Sequence, residues 1–65
     1  MGSVMWKYHV DLDATHEDFP TLISFYHTVV GRTKREVKME MREWLEELCD
    51  LGYTILTMTS KLTHM

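Results

Sequence analysis

Cysteine is nearly absent from this chain. Its 65 residues include one, Cys49, so no intrachain disulfide can hold the fold. A lone thiol suits a reducing compartment and points to the cytoplasm. Glycine is scarce: the three present are scattered, which excludes a glycine loop of the kind that cradles phosphate. The one proline, Pro20, is tolerable in a helix only in its first turn. No apolar run approaches the roughly 18 residues of a membrane span, and no basic-then-apolar start marks a secretion signal. Basic residues are in deficit, seven Lys and Arg against ten Asp and Glu, for a formal charge of −3. That balance argues against nonspecific nucleic-acid binding, which rests on cationic excess.

What remains is a chain long enough for one domain, residues 1–65, with a thin core. Hydrophobic residues make up 45%, enough for a globular fold. Six methionines and seven aromatics (two Trp, three Tyr, two Phe) make the core bulky and adaptable. Residues 1–5 read as a tag remnant or disordered start ahead of a native Met5, and residues 63–65 are expected to fray.

Along residues 6–12, Trp6, Tyr8, Val10 and Leu12 alternate with Lys7, His9 and Asp11. A period of two predicts a half-buried strand. From about Glu17 to Val30, the apolar residues Phe19, Leu22, Ile23, Tyr26, Val29 and Val30 fit one stripe at helical spacing. With Glu17 and Asp18 at the start and Gly31 at the end, this predicts a first helix. Thr33-Lys34-Arg35-Glu36 has the form of a capping box, and Val37, Met41, Trp44, Leu45 and Leu48 form the buried stripe of a second helix that stops at Gly52. Residues 53–62 are rich in β-branched types and predict a second strand, with Tyr53, Ile55 and Thr57 on one face. The expected fold is α+β: a β-α-α-β unit, an antiparallel helix hairpin packed on a small antiparallel sheet. Two strands alone are marginal, so dimerisation is expected to complete the sheet.

The residues that could carry chemistry are dispersed. His9, Asp11, Asp13 and His16 cluster near one strand end, but no spacing places two metal ligands on one face, and ordinary surface polarity is the better reading. Cys49 reads as a small residue at the edge of the core and not as a reactive thiol. Ser24 and Ser60 lack a glycine elbow. No catalytic residue, cofactor or metal is expected.

Charge on the second helix is more informative. Glu36, Glu40, Glu43, Glu47 and Asp50 recur at steps of three and four, with Glu46 beside them, while Lys34, Arg35, Lys38 and Arg42 lie on the flank. Like charges at these steps oppose helix formation slightly. Either this is a solvated face, or Glu40, Glu43, Glu46, Glu47 and Asp50 form a contact surface for a basic partner protein. The uncharged face expected on the first helix, Thr21, Ser24, Phe25 and Thr28, is a second candidate contact.

The run Gly31-Arg32-Thr33-Lys34-Arg35-Glu36-Val37, continuing through Arg42-Glu43-Trp44-Leu45-Glu46-Glu47-Leu48, resembles the second helix of ribbon-helix-helix repressors. The expected strand–helix–helix order of residues 6–49 is similar. The resemblance implies a dimer whose paired strands enter the DNA major groove. Lys7, His9 and Asp11 would then face the bases, and the amides around Arg32 to Lys34 would meet phosphate. The carboxylates on that strand favour a protein partner over DNA. The leading expectation is a cytoplasmic, non-catalytic regulator or inhibitor that binds a protein with a basic surface. Its size and acidity are those common among phage-encoded host-takeover factors. The alternative is a dimeric DNA-binding repressor.

Overall fold

A computed structural model describes residues 5–65, and the reading of Met1 to Val4 as a tag remnant lies outside the described residues. The elements are strand β1 (Trp6–His16), strand β2 (Phe19–Gly31), helix α1 (Lys34–Asp50) and strand β3 (Tyr53–His64). β1 is central, with β2 and β3 antiparallel to it on either side. β2 and β3 therefore run parallel to each other, and α1 joins them across one face of the sheet.

The β-α-α-β expectation fails at one segment. Residues 19–31 form β2, not a helix, so there is no helix hairpin. Five of these thirteen residues are β-branched (Thr21, Ile23, Thr28, Val29 and Val30) and three are aromatic (Phe19, Phe25 and Tyr26), a composition that favours a strand. The helical stripe was an accident of spacing. From Ile23 to Gly31, odd-numbered residues are buried or half-buried and even-numbered ones are exposed, the period of a strand. Tyr26, expected mid-stripe, is 73% exposed. Pro20 is accommodated near the start of what is an edge strand.

A two-residue turn, Glu17-Asp18, joins β1 to β2. No non-glycine residue here has positive φ, so it is not the primed turn such hairpins prefer. Other bonds hold it. Glu17 N–H donates to Gly52 O (3.0 Å), and Asp18 N–H donates to His16 Nδ1 (3.0 Å). That leaves His16 Nε2–H to donate to Leu51 O at 2.8 Å. His16 thus ties the β1–β2 turn to the turn between α1 and β3, and its ring lies edge-on to Tyr53 at 4.7 Å.

The expected alternation over residues 6–12 holds, and the strand runs four residues further than expected, to His16. Val10, Leu12 and Ala14 are buried toward the helix, with Val29 from β2 and Val37, Met41 and Leu48 from α1. Trp44 and Leu45 are half-buried beside them. Trp44 stacks on His27 (centroids 4.4 Å apart, planes 16° apart) and meets Phe25 edge-on at 6.3 Å. Cys49, expected at the core edge, is exposed. β3 carries a bulge: Asp13 pairs with Thr57 and Ala14 with Ile55, so Leu56 is the extra residue. That shift puts Ile55 toward the helix and Thr57 on the opposite face, separating two residues expected to share one. Residues 63–65, expected to fray, are paired: Thr63 and His64 belong to β3, and Met65 N–H donates to Met5 O at 2.8 Å. The case for a dimer rested in part on a two-stranded sheet, whereas the sheet has three strands, with β2 and β3 at its edges.

The start of α1 is as its capping residues dictate. Thr33 Oγ1 accepts from Glu36 N–H at 3.1 Å, and Glu36 Oε2 accepts from Arg32 N–H at 3.1 Å, one residue earlier than in the usual box. Thr33→Ala is expected to cost about 1 kcal/mol. The readout is a lower urea midpoint at unchanged slope. An unmoved midpoint would mean that water serves the Glu36 amide equally well.

Candidate functional site

Successive residues of α1 turn by about 100° around its axis, which sorts its charges into two flanks. Trp44 marks the β2 side, because it stacks on His27. Continuing past Trp44 in the same sense come Glu40 and Glu47, then Glu36 and Glu43. On the other side of the buried stripe comes Leu45, then Lys38, Arg42 and Arg35. The helix therefore carries an acidic flank beside β2 and a basic flank toward β3. Among the described residues, Glu40, Glu43 and Glu47 make no ion pair, and all three are exposed. Glu36 is engaged at the cap. Glu46, grouped with the acidic stripe on sequence, turns instead toward the basic flank and accepts from Arg42 Nε at 3.2 Å. Asp50 lies exposed at the end of the helix between the two flanks. Lys34 sits over the Trp6 ring, 4.8 Å from its centroid.

Among the described residues nothing covers the face of the sheet away from α1, which is mostly polar. Lys7, His9 and Asp11 project there from β1, as their alternation predicts, and Asp13 follows them because the strand continues to His16. Asp13 spans the sheet: Oδ1 accepts from Ser24 Oγ of β2 (2.6 Å) and Oδ2 from Thr57 Oγ1 of β3 (3.1 Å). His9 Nε2–H donates to Asp11 Oδ1 (2.7 Å), and Nδ1 accepts from Thr28 Oγ1 (2.8 Å). These bonds pin the three strands together. A shallow cleft of about 200 Å³ lies over the Asp13 bonds, lined in part by Tyr26 and Thr59. His16 is not part of this cluster, being turned toward Leu51. Among the described residues, no three His, Cys, Asp or Glu side chains are grouped to hold a metal ion. Nor, among them, is any helix long and apolar enough to cross a membrane.

The second candidate face does not survive the change of β2 from helix to strand. Ser24 and Thr28 project onto the open sheet face. Phe25 projects toward the helix, half-buried against Trp44 and Tyr53. Thr21 lies in the irregular start of β2, where pairing with β1 shifts register. Arg32 and Lys34 stand at the head of α1, both exposed.

Sequence reasoning missed that β2 is an unprotected edge. Its residues 19–31 contain no Asp, Glu, Lys or Arg. That absence was the available signal, because a surface helix of thirteen residues ordinarily carries charge on its outer face. Comparison with protein-family models, curated proteins and solved structures finds no match to the chain.

Proposed function

We propose that this chain is a small, non-catalytic cytoplasmic regulator or inhibitor that docks on a partner protein carrying a basic surface. One observation carries the reading: Glu40, Glu43 and Glu47 form a row of exposed carboxylates on one flank, without ion pairs among the described residues. A helix serving only the fold gains nothing from that row, whose like charges oppose helix formation by a few tenths of a kcal/mol per pair. Facing a basic partner, the same row speeds encounter and selects against acidic surfaces.

Changing Glu40, Glu43 and Glu47 together to glutamine is expected to leave the fold as stable or slightly more stable. Association with a partner captured from lysate should slow and lose most of its salt dependence. Stopped-flow rates at low and high salt make the measurement. A triple variant that associates as fast as the parent at low salt would reduce the row to a solvated face. The same preparation tests the alternative reading, in which Lys7, His9 and Asp11 meet DNA. That reading requires a sequence-specific duplex complex lost on Lys7→Ala.

A further inference from the structure

Among the described residues β2 is an edge strand, and alternate N–H and C=O groups along its outer side have no sheet partner there. Proteins commonly guard such edges with charge, and β3 has Lys61, but β2 has no charged residue across thirteen positions. On its open face β2 presents Tyr26 (73% exposed) and Val30 (48%), with Leu22 (56%) next along, whereas the same face of β3 presents Thr57, Thr59 and Thr63. On its helix face, beyond Trp44, stand Glu40 and Glu47. An added strand would therefore meet apolar groups on one side of its pleat and carboxylates on the other.

We infer that the β2 edge accepts an extended segment of the partner as a fourth strand, one whose alternate residues are Lys or Arg toward α1 and apolar toward Tyr26 and Val30. This rests on the reading of the acidic flank as a contact surface and adds how the partner is held: main-chain bonds supply affinity and the alternating side chains supply selectivity. A second copy fits the edge less well. Two copies joined through β2 would set their helices on one sheet face ~14 Å apart, three strand spacings. Their acidic flanks would then face each other.

The probe is a synthetic peptide of about nine residues alternating lysine with valine and threonine, enough for one strand. The whole chain is mixed with it, and amide hydrogen exchange is followed by NMR. The expected result is binding that slows exchange in β2 and not in β3. A version of the peptide N-methylated at alternate residues, with unchanged charge, should lose that protection, and a glutamate-for-lysine version should not bind. The Glu40, Glu43, Glu47 to glutamine variant should bind the lysine peptide on the order of tenfold more weakly. Protection confined to β3, or binding indifferent to N-methylation, overturns strand addition. If such binding is still lost in the glutamine variant, the acidic-flank reading stands alone, and if it is not, both fall. A dimer in sedimentation whose β2 amides are protected without peptide also overturns the inference, in favour of a second copy.

Discussion

Met41→Ala is expected to lower the unfolding free energy by about 3 kcal/mol, the usual scale for emptying a core site of this size. Met41 is 2% exposed and belongs to the cluster with Val10, Leu12, Ala14, Val29, Val37 and Leu48. For 65 residues the total stability is about 3–10 kcal/mol, so this one change removes roughly 30% of it or more. Met39 supplies the control. It is the same residue type two positions earlier and 54% exposed, so Met39→Ala should stay within about 0.5 kcal/mol of the parent. Urea titrations of both variants give the comparison. Equal losses from the two would mean that α1 is rotated from the phase described.

Gly52→Val is expected to be nearly as damaging, at about 2–3 kcal/mol. Gly52 closes α1 with φ +98°, a conformation that a β-branched residue strongly resists. A Cβ there would also stand 3.0 Å from Cδ and Oε1 of Glu17. The backbone penalty should dominate, because Glu17 is exposed and its carboxylate can swing aside, whereas φ cannot relax without breaking the Glu17 N–H to Gly52 O bond. Gly52→Asn should therefore lose less, since asparagine tolerates positive φ better. Adding Glu17→Ala to Gly52→Val should restore little. Full recovery in that double variant would show the clash, not the backbone, to be the cause.

α1 was legible residue by residue. Thr33 caps, Val37, Met41 and Leu48 bury, and Gly52 stops it, because each of those signals acts within one or two turns of the chain. The row Glu40, Glu43 and Glu47 was legible for the same reason, whereas Glu46 and Asp50, grouped with it on sequence, stand off it, Glu46 beside Arg42 and Asp50 between the flanks. The sidedness of the flanks was not legible. It depends on Trp44 stacking on His27, a contact between residues 17 apart whose strand had been read as a helix.

By itself the sequence determined the first part of β1, through the alternation over residues 6–12, and α1, through its cap, stripe and stop. It determined that β1 presents Lys7, His9 and Asp11 to one side; that Asp13 joins them follows from the strand running on to His16. Only the tertiary structure decided the state of residues 19–31, whose apolar positions fit a 3.6-residue stripe and, as a strand, divide between its two faces. A central strand such as β1 exposes unpaired N–H and C=O groups along both edges, and burying its apolar face makes those groups costly unless they are bonded. β3 satisfies one edge. The other is met by residues 19–31 through pairing that no short window of sequence displays, and the same pairing leaves the outer edge of β2 open beside Glu40 and Glu47.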